Sequence, residues 1–279
     1  MMIKQLFTDM DGTLLNPQGE LSPVTIQAIK AAQLPLTLVS ARAAADMLRF
    51  VETFNLTGPQ IGFNGALIYQ VNHHQIEPLS EIPLPKADGL KIIQAVQNHF
   101  PEVSINFYDA THWFAPKHDH GVDLQAERSD FNPQFGNPVE ILANNHQQLL
   151  KITLLVTGST DPQAVANLIN GLKVPNLSLQ LPAAENGITF IDITNINAQK
   201  SRGVQYILDQ EGVANSEAAA FGDGENDLPM LKMVGLPIVM GNASDKVKMV
   251  AKYVTKTNAD DGWAYALTHQ TDLVAASHA

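Results

Sequence analysis

Four short polar clusters carry the groups in this chain that could do chemistry: Asp9-Met10-Asp11, Ser40-Ala41-Arg42, Lys200, and Asp223-Gly224-Glu225-Asn226-Asp227. A single Asp-x-Asp is ordinarily a solvated turn or a helix cap, because Asp bonds its own backbone locally. Here each cluster ends an apolar run or opens a helix. Open parallel sheets gather their ligands at such points, beyond the carboxyl ends of the strands. Four carboxylates, from Asp9, Asp11, Asp223 and Asp227, would repel one another in a shared pocket unless a cation sat among them or some stayed protonated. All-oxygen ligation favours Mg2+, which takes a few carboxylates, water and phosphate oxygens, whereas zinc or copper sites normally offer imidazole or thiolate. Lys200 supplies a second positive charge. Together these groups would hold a phosphate dianion against a carboxylate nucleophile and stabilise charge on a transferring phosphoryl group.

The elements that would position these clusters alternate strand and helix. Ile3 to Thr8 reads as a buried strand, and Ser22 as an N-cap ahead of Pro23 and a helix with Ile26, Ile29 and Ala32 on its apolar face. Leu36 to Val39 is a second strand, and Met47, Leu48, Val51 and Phe54 mark a second helix. This alternation predicts a parallel sheet. Asn64-Gly65, between Ile61–Phe63 and Ala66–Tyr69, predicts a small hairpin. The pattern then changes. From about Pro83 to Gly187 there are helix and strand signals but no phosphate-type loop, which predicts an inserted domain, with 132–145 read as a Pro- and Asn-rich loop. From Thr189 the alternation resumes, with a helix over Lys200–Glu211 stopped by Gly212 and strands at Ala218–Phe221, Pro237–Met240 and Tyr253–Thr255. The expected fold is α/β, a Rossmann-like three-layer core with a parallel sheet plus an inserted α+β cap. Its expected divisions are 1–82 and 189–279 for the core and 83–188 for the cap.

Composition limits the partners. A length of 279 residues exceeds the usual single domain, and 45% hydrophobic with 16% charged residues is an ordinary globular profile. A net charge of −11 works against phosphate backbones, so nucleic acid is not an expected partner. The absence of cysteine excludes disulfides and thiolate chemistry. No run of ~18 apolar residues could span a bilayer, and Met1 to Phe7 is too short in apolar content for a signal peptide. The reading is cytoplasmic, without membrane attachment and with no obligate protein partner evident.

D-M-D-G-T-L-L at residues 9 to 15 and G-D-G-E-N-D at 222 to 227 resemble signatures of the haloacid dehalogenase superfamily. The motif order, Asn64-Gly65-Ala66, Met240-Gly241-Asn242-Ala243 and Asp261-Gly262 resemble its Cof-type phosphatases, which carry a large α/β cap. The resemblance covers essentially the whole chain. It implies Mg2+-dependent hydrolysis of small phosphorylated metabolites, often sugar phosphates. Asp9 is then the nucleophile that becomes an aspartyl phosphate, and Asp11 the general acid and base whose backbone carbonyl also binds magnesium. Asp223 ligates the metal directly and Asp227 directly or through water. Met10, Ser40, Ala41, Arg42, Asn64, Asn226 and Lys200 face the phosphate. Ala41 departs from the family's usual Gly, so its loop has to sit in an ordinary backbone conformation. Arg42 either touches substrate or pairs with a carboxylate.

Several residues invite a functional reading that the context does not support. His73-His74 and His118-Asp119-His120 lack other converging ligands, so they are expected at the surface. Trp113, beside Phe114 in an alternating segment, is expected in the core rather than stacked on a sugar. Two alternatives to hydrolysis stand: phosphoryl transfer to a second sugar, as in a mutase, and a phosphometabolite-binding regulator without turnover.

Overall fold

The computed structural model of the chain describes residues 2–32, 34–181, 187–269 and 273. Met1 and the end of the expected second core segment lie outside them. The strands are β1 (Gln5–Thr8), β2 (Leu36–Leu38), β3 (Gln60–Gly62), β4 (Leu67–Asn72), β5 (Gln75–Glu81), β6 (Ser104–Tyr108), β7 (Trp113–Ala115), β8 (Gln134–Phe135), β9 (Lys151–Val156), β10 (Leu177–Gln180), β11 (Thr189–Asn195), β12 (Ala218–Gly222), β13 (Leu236–Val239) and β14 (Tyr253–Val254). The helices are α1 (Pro23–Ala32), α2 (Ala44–Thr53), α3 (Lys86–His99), α4 (His120–Ala126), α5 (Pro138–Asn144), α6 (Pro162–Gly171), α7 (Lys200–Glu211), α8 (Leu228–Met233), α9 (Asp245–Lys248) and α10 (Gly262–His269). They form two compact units, one of Met1–Arg42, Met47–Leu79 and Gln199–Ala279, the other of Ala43–Asp46 and Ser80–Ala198.

The first unit is built on a parallel sheet in the order β14-β13-β12-β1-β2, with β3 joined alongside β2 through a parallel Val39–Ile61 bridge. Side chains alternate across each strand, so the sheet has two apolar faces to cover. Phe7, Ala218 and Ala220 meet Val204, Ile207 and Leu208 of α7 and Met230 and Leu231 of α8. On the other face Phe221 stacks on Trp263 of α10 with ring centroids 4.8 Å apart. The Trp263 indole N–H donates to Thr8 Oγ1 at 2.9 Å, and that hydroxyl donates to the Asp9 carbonyl at 2.7 Å. The rim below Asp9 is thereby fixed from beneath.

Helix ends follow the sequence cues. Ser22 Oγ accepts the Thr25 N–H at 3.0 Å, and Gly212 ends α7 in the left-handed conformation with φ +63°. Asn64 and Gly65 turn the chain between β3 and β4 with φ of +56° and +100°. A Cβ on Gly65 would lie 2.3 Å from the Gln199 carbonyl, so the turn requires glycine where α7 begins.

The second unit holds a sheet in the order β10-β11-β9-β6-β7-β8. Ile105, Phe107, Ile152, Leu154, Ile191 and Ile193 pack against Ile92, Ile93 and Val96 of α3 and Val165 and Ile169 of α6. The opposite face mixes aromatic and polar groups: Trp113 is wholly buried, stacks on Tyr108 and donates to Asn106 Oδ1 at 2.8 Å, and Lys151 pairs with Asp192 at 2.7 Å.

Two expectations are corrected. Thr189–Asn195 was assigned to the core, yet β11 pairs antiparallel with β9 and β10; alternation reports a buried face and not the sheet that buries it. The stretch 132–145 is not a loop throughout, since it contains β8 and α5. Asn137 caps α5 by accepting the Val139 N–H, Pro138 occupies its first turn, and Leu142 is buried.

Trp263→Ala removes both the stack on Phe221 and the donor to Thr8. We expect about 3–5 kcal/mol of destabilisation, seen as a lower urea midpoint by circular dichroism, whereas an unchanged midpoint would mean that α10 does not anchor the sheet.

Candidate active site

The site lies in the first unit, on the loops that leave β1, β2, β12 and β13. Asp9 follows β1 directly and its N–H donates to the Phe221 carbonyl at 3.0 Å, which ties the loop to β12. The next turn closes with Leu15 N–H on the Met10 carbonyl at 2.9 Å and contains Gly12 at φ +79°. A Cβ on Gly12 would come within 2.4 Å of Asp223 Oδ2. Glycine is required there by space as well as by conformation.

Lys200, the first residue of α7, is the electrostatic centre. Its side chain is 2% exposed, and its ammonium contacts Asp9 Oδ1 at 2.5 Å and Asp227 Oδ1 at 2.7 Å. Burial works against the ammonium, but Asp227 and Asp9 outweigh it by charge and hydrogen bonding and hold its pKa above the ordinary lysine value. Asp227 is fully buried, and its Oδ2 accepts the N–H groups of Asp223 and Gly224 at 3.1 and 3.0 Å. It therefore organises the loop as well as pairing with Lys200. Gly222 leaves room for it, since a Cβ there would sit 2.7 Å from Asp227 Cβ, and Gly224 leaves room for Asn226, whose Oδ1 a Cβ would meet at 2.5 Å.

Asp9, Asp223 and Asp227 form the one group of acidic or histidine side chains, among the described residues, whose ligand atoms converge, all lying within 4.8 Å of one another. Burial pushes the Asp9 carboxyl well above the usual range; Asp227 adds to this and Lys200 opposes it. Burial also raises Asp223, against the hydrogen bond from Thr13, whose hydroxyl donates to Asp223 Oδ1 at 2.9 Å. Two like charges ~4 Å apart repel by about 4 kcal/mol at an effective dielectric near 20. Lys200 alone leaves two negative charges unbalanced if all three carboxylates are ionised. The donor set thus fits a small divalent cation with oxygen ligands.

Other expected residues occupy different positions. The Asp11 side chain is 57% exposed and is not in the carboxylate cluster. Arg42 grips it with two bonds, Nε to Oδ2 at 2.8 Å and a terminal nitrogen to Oδ1 at 2.6 Å. The carboxylate pairing named as one reading of Arg42 is present. The Met10 side chain is wholly buried in the core and points away from Asp9, so a contact with phosphate at this position would come from its backbone. Ser40 is buried, and its Oγ accepts the Arg42 N–H at 3.2 Å, leaving the hydroxyl hydrogen to donate elsewhere. Ala41 is not among the described residues with positive φ, as its replacement of Gly requires. Asn226 Nδ2 donates to Asn64 Oδ1 at 3.2 Å, joining two expected substrate-facing residues. Glu225 turns outward to Lys246 at 2.6 Å. His74 and His118 are exposed and contact the Glu52 and Asp123 carboxylates at 2.6 and 2.8 Å, as expected of surface histidines.

Sequence reasoning missed three residues. Thr13 binds Asp223, Asn242 donates to the Gly12 carbonyl and to Asp223, and Asn258 supports Asn242. Thr13 and Asn242 lie inside motifs noted above, while Asn258 carries no signal of its own.

A family model described as haloacid dehalogenase-like hydrolase matches residues 6–267. A 5-amino-6-(5-phospho-D-ribitylamino)uracil phosphatase of Bacillus subtilis is 28% identical over 277 residues, covering 95% of this chain and 96% of that protein. A pyridoxal phosphate phosphatase of Escherichia coli is 27% identical over 271 residues, covering 95% of this chain and 97% of its own. Among solved structures, a haloacid dehalogenase-like hydrolase from Bacteroides thetaiotaomicron superposes with a TM-score of 0.80 at 22% identity, over 95% of this chain and 98% of that one. With nearly its whole length matched by the family model, and with the parallel core and inserted unit that these neighbours share, the chain belongs to the haloacid dehalogenase-like hydrolase family.

Proposed function

We propose that this hydrolase is a magnesium-dependent phosphatase of small phosphorylated metabolites, working through a phosphoryl group carried on Asp9. The observation that supports it most is the buried Lys200 ammonium held between Asp9 and Asp227, with Asp223 beside them. Asp9, Asp223, Asp227 and the backbone carbonyl of Asp11 would hold the metal, Asp227 directly or through water. A bound magnesium ion neutralises charge on the carboxylates and on the substrate's phosphate oxygens. The resemblance, the all-oxygen donor set and the lack of cysteine favour magnesium over zinc.

The chemistry assigned to this chain's own residues then balances. An Asp9 oxygen forms a bond to phosphorus while the bond from phosphorus to the ester oxygen breaks, and Asp11 gives its proton to the leaving alkoxide. Asp11 next takes a proton from a water molecule, whose oxygen bonds to phosphorus as Asp9 departs. Inorganic phosphate and the free hydroxyl compound are the products. Both Asp11 oxygens accept from Arg42, so a competitor for the guanidinium would free Asp11 to meet the leaving group. An arriving phosphate dianion, for which guanidinium has matching geometry, supplies that competition. Ser40 donates to a phosphate oxygen, and Asn64 with Asn226 frames the same group. Residues 83–188, together with β11, are read as the family's cap, the part that discriminates the organic portion of the substrate. The uracil-derivative and pyridoxal phosphatases among the relatives, like the family's sugar phosphatases, point to phosphomonoesters of hydroxylated or heterocyclic metabolites.

Asp9→Asn keeps the shape of the nucleophile and removes its charge. Phosphate release from p-nitrophenyl phosphate and a panel of sugar phosphates should fall by more than about 10³-fold in this variant, and wild-type release should stop with chelator and return with magnesium. Near-wild-type turnover by Asp9→Asn would sink the covalent reading. Gly12→Ala, which drives a methyl group onto Asp223, should abolish the stabilisation that magnesium gives the wild type, about 2.7 kcal/mol at one hundred times Kd, read as a rise in melting temperature. A normal magnesium shift in Gly12→Ala would remove Asp223 from the proposed ligands.

A further inference from the structure

We infer that Asn242 is a positioning residue for the metal ligand Asp223, and that Asn258 holds it in place. The inference rests on the metal-dependent reading above. The Asn242 side-chain amide has two donor hydrogens and one carbonyl acceptor, and all three capacities are used. Nδ2 donates to the Gly12 carbonyl at 2.9 Å and to Asp223 Oδ2 at 3.1 Å, while Oδ1 accepts the Asn258 N–H at 3.0 Å. These three partners fix which end of the amide is nitrogen. With the amide flipped, its carbonyl oxygen would face a carboxylate and a backbone carbonyl, and its nitrogen would face an N–H.

Asp223 is consequently oriented from both sides. Thr13 donates to Oδ1 and Asn242 to Oδ2, one donor on each oxygen, which fixes the plane of the carboxylate towards Asp9 and Asp227. Donors of this kind around a metal-binding carboxylate set both its orientation and its basicity. The same Asn242 amide holds the Gly12 carbonyl, so the loop carrying Asp9 and Asp11 is registered against Asp223 through one side chain. Asn258 extends the link: its Nδ2 donates to the Leu15 carbonyl at 2.9 Å, on the far side of the same loop. The four loops after β1, β12, β13 and β14 are thus tied through two asparagines, where sheet hydrogen bonding has already ended. A residue that only stapled loops together would have no need to meet the ligating carboxylate. Asn242 does meet it, although the residue is exposed and contributes no core packing.

The test is magnesium titration of the metal-stripped, full-length protein by calorimetry, in parallel with phosphate release as a function of magnesium. Asn242→Ala should weaken magnesium binding by roughly 10–100-fold, with kcat recovering towards wild type as the metal is raised to saturation. Asn258→Ala keeps the backbone N–H that Asn242 accepts and removes only the side-chain bond to the Leu15 carbonyl, so it should shift binding in the same direction and by less, by loosening the loop that presents that N–H. Should Asn242→Ala fail to give the wild-type circular dichroism spectrum, Asn242→Ser, whose single hydroxyl hydrogen cannot serve both the Gly12 carbonyl and Asp223, carries the same test. Unchanged magnesium affinity in the folded variants, beside a wild type that binds the ion, would overturn the inference alone. A wild type that takes up no magnesium would overturn the inference and the metal-dependent reading together.

Discussion

The interaction on which the rest depends is the contact of one buried ammonium with two buried carboxylates, beside a third carboxylate that it does not neutralise. Lys200 compensates part of the charge of Asp9, Asp223 and Asp227, and burial holds the carboxyls of Asp9 and Asp223 above their ordinary range. A site poised in this way is incomplete without further positive charge. A divalent cation with oxygen ligands is a partner that such a donor set suits. The same imbalance explains why the surrounding backbone is so tightly specified. Carboxylates that repel one another stay together only where loops are held by hydrogen bonds and leave no alternative packing.

That holding is visible at several levels of structure. The sheet places the ends of β1 and β12 side by side, with Thr8 opposite Phe221. Trp263 secures the lower surface through Thr8, and Gly12 and Gly222 admit carboxylates where any side chain would collide. The N-terminal start of α7 brings Lys200 in from the opposite side, and Gly65 allows the β3–β4 turn to pass against the Gln199 carbonyl immediately before it. Rigid strands thus supply the coordinates, and short loops supply the chemistry. Arg42 and Asp11 are the counterpoint, a more exposed pair outside the carboxylate cluster.

Much of this was legible in the sequence. Asp9, Lys200, Asp223 and Asp227 were identifiable because each closes an apolar run or opens a helix, and those run ends are what a parallel sheet brings together. Gly212 and Asn64-Gly65 announced their turns through backbone preferences that act locally. What could not be read was set by long-range pairing. Asn242 and Asn258 are 16 positions apart in the chain, and Gly12 is 230 positions from Asn242, so no periodicity links them. Alternating residues at 189–195 gave a strand but not its sheet, and Asn137-Pro138 looked like loop composition while serving as the cap and first turn of α5. Asp11 shared the spacing of Asp9, yet Arg42, 31 residues away, drew its carboxylate to a different partner.

The central claim, that the phosphoryl group rests on Asp9 between substrate and water, has a direct stereochemical test. A phosphorothioate monoester made chiral at phosphorus with two oxygen isotopes is hydrolysed by the wild-type enzyme in water enriched in the third, and the configuration of the released inorganic thiophosphate is determined. Two successive in-line transfers, first to Asp9 and then to water, predict overall retention. Overall inversion would mean that water attacks the substrate directly, and Asp9 would then be no more than a charge in the pocket.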